Sequence, residues 1–407
     1  MPLKILAKRT DLLVAGRDKN RPSRAKSIAS VSPEEAGLQR ARAEHVGSLL
    51  RPRRLLKARR DLANGLILPA QFKNIEDRAV DRALRLQEEA GLEILTDGEM
   101  RRLSFQSQMT AAVEGFGAPA LDAFLWGDWR GGDDMGDKRV ERPAGLGVVE
   151  KLRRRRHLCA EEFTYLRART GLIAKVCLPS PSLWTNFWSP DHSGDAYPTL
   201  DHFLTDVCDI LRDEVAELVR LGATYIQLDA PHYPLLIDPR TRSFYESRGW
   251  DRERWLGAGI ELDNALMADF PGVTFGFHLC RGNQGSRWLV EGAYDSIAAP
   301  IFKSIRAQRL LLEYDDARSG SFAPLAQVPD DKIVVLGLVS TKRADLETRK
   351  DLAARIEEAA RHFPLEQLAL SPQCGFASSI VGNNLSEQEQ RQKLALVVET
   401  AASVWDG

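Results

Sequence analysis

Eight short apolar runs, spaced along the chain and separated by helical patterns, constrain the fold more than any other feature. They fall at about Glu44–Ser48, Leu92–Asp97, Leu172–Leu178, Thr224–Asp229, Val273–Cys280, Leu310–Tyr314, Ile333–Val339 and Gln367–Ser371. Their lengths suit strands, and several are too uniformly apolar to keep one face in water, as in parallel sheets covered on both sides. Between them, Phe203, Val207, Ile210, Leu211, Val215, Leu218 and Val219 recur at helical spacing over Asp201–Leu221, with Gly222 as a C-terminal stop. Leu352, Ile356, Ala359 and Phe363 form a second stripe, and Ser386-Glu387-Gln388-Glu389 is a capping box that opens a last helix. Strands alternating with helices make an α/β protein, and the count favours a closed (β/α)8 barrel over an open doubly wound sheet. No G-x-G-x-x-G follows the first run, which counts against dinucleotide binding.

A barrel of this kind accommodates most of the 407 residues, and 43% hydrophobic with 28% charged residues supports a sizeable core. The expected organisation is a basic N-terminal arm with a short helix over 1–40 and the catalytic barrel over 41–407. An excursion inserted after the second strand, about 115–170, carries the Gly-rich, charged Trp126–Asp133 and the Arg153–Arg156 run. A formal net charge of -1 argues against a nucleic-acid partner. Five scattered cysteines do not make a disulfide framework and fit a reducing compartment. No apolar run approaches the roughly 18 residues of a membrane span. The basic N-terminus lacks the apolar segment of a secretory signal, so the expected location is cytoplasmic.

Active sites of such barrels lie where the strands end, so strand-end polar residues matter most. His278 and Cys280 close the fifth strand and, at period two, point to one side. Glu313 ends the sixth strand and Cys374 follows the eighth. One histidine, two cysteines and one carboxylate form a tetrahedral Zn2+ set. The second H-x-C pattern, His157-Leu158-Cys159, follows the cationic Arg153–Arg156 run and precedes a helix, where it has no evident further ligand.

These residues, in this order, resemble the catalytic C-terminal barrel of the cobalamin-independent methionine synthases, from about His45 to the C-terminus. His45-Val46-Gly47-Ser48-Leu49-Leu50-Arg51 is similar to the family's G-S-x-x-R element, Asp97-Gly98-Glu99 to its D-G-E motif and Gln227-Leu228-Asp229 to its Q-x-D strand. His278, Cys280, Glu313 and Cys374 fall where the family keeps its zinc ligands. The resemblance implies that Glu99 and Asp229, with Asp97 of the same motif, hold the amino end of homocysteine, and that Gly47 and Ser48 face its carboxylate. It implies methyl transfer to that thiol from a methyl-folate or a methyl-corrinoid, the latter with a corrinoid protein as partner; a homo-oligomer is compatible with the chain.

The chain departs from the pattern in three ways. It spans one barrel where full-length enzymes have two. Asp229-Ala230-Pro231-His232 replaces D-E-P, which makes His232 a candidate proton donor, with an exposed turn histidine as the simpler reading. Val339-Ser340-Thr341-Lys342 stands where those enzymes carry a histidine. Two other functions therefore stay open: alkyl transfer to another thiol, as in epoxyalkane:coenzyme M transferases, and a non-catalytic zinc-binding module.

Overall fold

The computed structural model describes residues 33–118, 129–131, 146–247 and 249–406. Residues 1–32 of the basic arm, and all of Trp126–Asp133 except Trp129, Arg130 and Gly131, lie outside the described residues.

The apolar runs form a curled, all-parallel seven-stranded sheet, consistent with a TIM-like barrel. Its strands, in spatial order, are β1 (Ile94–Leu95), β4 (Ile173–Pro179), β5 (Tyr225–Asp229), β6 (Thr274–Leu279), β7 (Arg309–Glu313), β8 (Ile333–Val339) and β9 (Leu368–Pro372). Separate from it, β2 (Val113–Gly117) and β3 (Gly147–Arg154) pair antiparallel. Arg153 and Arg155 there pair with Glu114 from largely exposed positions, as expected of a solvated basic segment.

The first expected strand, Glu44–Ser48, is not a ladder strand. It sits at the seam between β9 and β1, held by one parallel bridge, Ala43 to Leu370, and the bonds Glu44 N–H to Leu370 O (3.1 Å) and Leu49 N–H to Gly98 O (3.0 Å). Side chains take the carbonyls that a ladder would use: Thr96 Oγ1 donates to Gly47 O at 2.7 Å, the Cys177 thiol to Val46 O at 3.3 Å, and Lys175 to His45 O. All backbone acceptors in a buried segment need partners, and these substitute for strand pairing.

Inside the curl, Val46, Leu311, Val335 and Ala369 pack as one buried cluster, the layered filling expected of a barrel interior. Nearer the strands' N-terminal ends the interior is ionic. Glu44 accepts from Lys175 Nζ (2.9 Å), Tyr225 OH (2.9 Å) and Arg309 Nε (2.8 Å), with all of these side chains buried. Burial would raise the Glu44 pKa, but Lys175 and Arg309 bring it down to about 2. Arg309 also donates to Leu38 O and Ala41 O, which ties the helix Pro33–Arg40 across this end.

The outer helices start as their sequences dictate. Thr199 caps Leu200–Arg220, and Gly222 follows that helix at φ 96°. The Ser386 capping box opens Glu387–Trp405, with Ser386 N–H to Glu389 Oε2 at 2.6 Å and Glu389 N–H to Ser386 Oγ at 3.2 Å. No helix among the described residues is long and apolar enough to cross a membrane.

Replacing Glu44 with leucine strands two buried cations. The expected loss of stability is about 3–5 kcal/mol, read as a fall in the urea midpoint. Ser386→Ala, which removes one cap, should lose only about 1 kcal/mol in the same assay.

Candidate active site and metal centre

Parallel strands deliver their C-terminal ends to one rim, and register decides which side chains meet there. β5 and β6 set Asp229 opposite His278. Residues two apart share a side, so His278 and Cys280 lie together just where β6 ends. The structure brings His278, Cys280 and Cys374 together, with their candidate ligand atoms within 4.8 Å of one another and all three residues buried. His278 Nδ1 lies 3.3 Å from Leu311 O. A carbonyl only accepts, so Nδ1 carries a proton, and Nε2, buried without a hydrogen-bond partner, is left for a ligand; against burial, the neighbouring Cys374 raises the ring's pKa. The Cys374 thiol is drawn well below its usual range by contact with Cys280, and further by His278 and Lys342, although burial opposes this. The same contact and burial push Cys280 well up. One imidazole nitrogen and two converging sulfurs suit Zn2+.

Glu313 is not brought into that set. Its Oε2 accepts from the Arg281 backbone N–H at 2.6 Å and its Oε1 from Arg318 Nη2 at 2.7 Å. Burial opposes ionisation, but Lys342, Arg318 and Arg281 hold its pKa at about 2.

Beside the sulfurs, Glu99, Cys177 and Asp229 form a second group whose polar atoms lie within 4.8 Å of one another. Gly98 and Glu99 both have positive φ, 67° and 55°, so the D-G-E turn aims the Glu99 side chain inward at a backbone cost near 1 kcal/mol. The turn is held by Asp97 Oδ1, which accepts from Glu99 N–H at 2.8 Å, and by Arg51 Nη2, which donates to Glu99 O at 2.8 Å. Gly47 closes the group from the seam: a Cβ there would come within 2.7 Å of Cys177 Sγ and 3.3 Å of Glu99 Oε1. Ser48 lies against Gly375, so that a side chain at Gly375 would collide with the Ser48 hydroxyl.

Burial pushes Glu99 up to about 7, against Arg102 and Arg51 and helped by Asp229 and Asp97. Burial also raises Asp229 and Asp97. Glu99 Oε2 and Asp97 Oδ2 are buried without hydrogen-bond partners. Glu99 and Asp229, close together with raised pKa values, and the unfilled Glu99 Oε2 form an acceptor set that a cation would complete.

His232 is buried, not an exposed turn residue. It opens the short helix that follows β5, with Nε2 at 2.8 Å from Ser182 Oγ and its ring against Tyr233 and Trp255. Burial lowers its pKa to about 3. The His157-Leu158-Cys159 pattern serves packing: Glu214 accepts from the Leu158 and Cys159 backbone N–H groups at 2.7 Å each and contacts His157 Nδ1 at 3.1 Å.

Residues 43–403 match the family described as "Cobalamin-independent synthase, Catalytic domain". The chain belongs to this family. An uncharacterized protein of Bacillus subtilis (strain 168), YxjH, is 32% identical over 93% of this chain and 98% of its own length. A methionine synthase of Pyrococcus abyssi is 27% identical over 81% of this chain and 84% of its own. The structure of a B12-independent methionine synthase from Shewanella sp. W3-18-1, in complex with selenomethionine, shares the fold with a TM-score of 0.68. That likeness covers 90% of this chain and 98% of the other at 20% identity.

Within this family framework, Lys342 is a buried ammonium whose Nζ has no hydrogen-bond partner and lies 3.7 Å from Glu313 Oε1. The sequence reading missed Cys177 and Lys175, and gave Gln227 only as part of the Q-x-D motif. The available signal was polar residues at alternate positions inside buried apolar runs: Lys175 and Cys177 on β4, Gln227 and Asp229 on β5.

Glu99 supplies a test on the protein without ligand. With a folded pKa near 7 and an ordinary value of 4.5, the folded state holds an extra proton between those values, so stability falls as pH rises through that window. Glu99→Gln should therefore be stabilised relative to the parent at pH 8, by up to about 3 kcal/mol. The gain should shrink toward zero at pH 4.5, as read from urea midpoints across the range.

Proposed function

We propose that this chain is a zinc-dependent methyltransferase that moves a methyl group to the thiol of homocysteine and gives methionine, from a methyl-folate or methyl-corrinoid donor. The observation that carries the reading is adjacency. A three-donor metal set and a carboxylate pair stand side by side on one rim, with Asp229 in register with His278. An amino-acid thiol spans just such a pair of sites, with its sulfur at one and its ammonium at the other. Membership of the family supports the same reading.

His278, Cys280 and Cys374 would hold the zinc, with Glu313 as the fourth candidate if its carboxylate exchanges Arg318 or the Arg281 N–H for the metal. The metal would supply a positive centre that keeps a substrate sulfur as thiolate at neutral pH. In the reaction, the sulfur lone pair forms the S–CH3 bond while the donor–CH3 bond breaks, and that electron pair leaves with the donor.

The chain's own groups do the rest. Glu99 and Asp229 accept hydrogen bonds from the substrate ammonium, whose charge offsets the repulsion and burial that now raise their pKa values. Gly47 leaves room for this approach, and Ser48 faces the substrate's carboxylate end. His232, uncharged at neutral pH because burial lowers its pKa to about 3, would have to gain a proton before it could give one to a leaving group.

Zinc X-ray absorption on the purified protein tests the metal half: two sulfur neighbours are expected, rising to three on adding homocysteine. No zinc after reconstitution would sink the proposal. Cys280→Ser and Cys374→Ser should each lose most bound zinc. Asp229→Asn should keep it and raise KM for homocysteine by about 10- to 100-fold, roughly 1.4–2.8 kcal/mol of ammonium binding.

A further inference from the structure

Beneath the carboxylate pair, one ammonium reaches both walls of the candidate amino-acid subsite. Lys175, on β4, is fully buried, and its Nζ donates to Glu44 Oε2 (2.9 Å), to Gln227 Oε1 (3.0 Å) and to the carbonyl of His45. An ammonium has three protons and no acceptor, so these three bonds use all of them.

The first branch fixes an amide. A glutamine side chain can turn either way, and its partners decide which end is oxygen. Lys175 can only donate, so the Gln227 oxygen must face it and the NH2 must point onward. That NH2 donates to Asp229 Oδ1 at 2.7 Å. The opposite orientation would set the amide oxygen against the carboxylate. With Oδ1 held, the Asp229 carboxylate has a set direction beside Glu99 and Cys177. The second branch fixes the seam. The His45 carbonyl lies two residues before Gly47, in the segment that lacks a strand ladder, and Ser48 follows.

Glu44 keeps the device in place. Its two oxygens accept from Lys175 and Arg309 separately, so the lysine is neither an unpaired buried charge nor free to swing.

We infer that Lys175 is a positioning residue for the amino-acid subsite: through Gln227 it orients Asp229. The inference rests on the reading that Glu99 and Asp229 receive a substrate ammonium.

The test compares two thiols that differ only in the amine, homocysteine and 4-mercaptobutyrate, by titration calorimetry on the zinc-loaded protein. The parent should prefer homocysteine by at least about tenfold, and Asp229→Asn should abolish that preference. Gln227→Leu and Lys175→Met should each reduce the preference by about tenfold, with 4-mercaptobutyrate affinity within about twofold of the parent and zinc content unchanged. Full preference retained in Gln227→Leu and Lys175→Met, while Asp229→Asn loses it, overturns the inference and leaves the subsite reading intact. Equal weakening of both thiols marks a purely structural role and overturns it as well. Equal binding of the two thiols by the parent instead removes the subsite reading itself. If Lys175→Met does not fold, Gln227→Leu decides alone, since it leaves the Glu44–Lys175 pair in place.

Discussion

The Glu44 carboxylate, shared between Lys175 and Arg309 in the barrel interior, is the contact on which the other parts of the molecule converge. Arg309 carries it outward to Leu38 and Ala41 and so anchors the N-terminal helix. Lys175 carries it up the barrel to Gln227 and the seam. Such a network is worth little as a sum of pairs, because desolvation offsets most of the attraction. Its effect lies in specificity. A seam with one bridge and no ladder gains a defined position from side chains that accept no alternative partners.

The opposite end of the barrel is built on the reverse principle. There the polar groups are left incomplete: His278 Nε2, Glu99 Oε2, Asp97 Oδ2 and Lys342 Nζ are all buried without hydrogen bonds. Carboxyl groups are pushed up and two sulfurs are crowded together. A folded protein carries such costs where a ligand relieves them. The unsatisfied donors and acceptors divide into a soft, sulfur-rich set and an oxygen-rich set, and their closeness gives the proposed substrate its two-ended character.

Much of this was legible in the chain. The run Ile333–Val339 is β8 residue for residue, and the other sheet strands fall within two residues of their apolar runs. Length and uninterrupted apolarity suffice for a strand buried on both faces. The Glu44–Ser48 run misled, because it is a short buried segment at a seam where side chains replace the ladder. His278 and Cys280 were readable together because two residues of strand set them side by side. Cys374 needed its place after the last strand, and Cys177 offered no motif at all.

The sequence by itself determined the alternation of strands and helices, their capped starts, and the residue types that end each strand, since these depend on neighbours a few positions away. Only the tertiary structure decided which of those ends meet. Sheet curl brings Cys374 to His278 across nearly a hundred residues, and β4–β5 register sets Cys177 beside Gln227. It also turned Glu313 toward Arg318 and buried His232 among aromatic rings. Those outcomes depend on long-range packing and on competition among charges for the same partner, which no local pattern encodes.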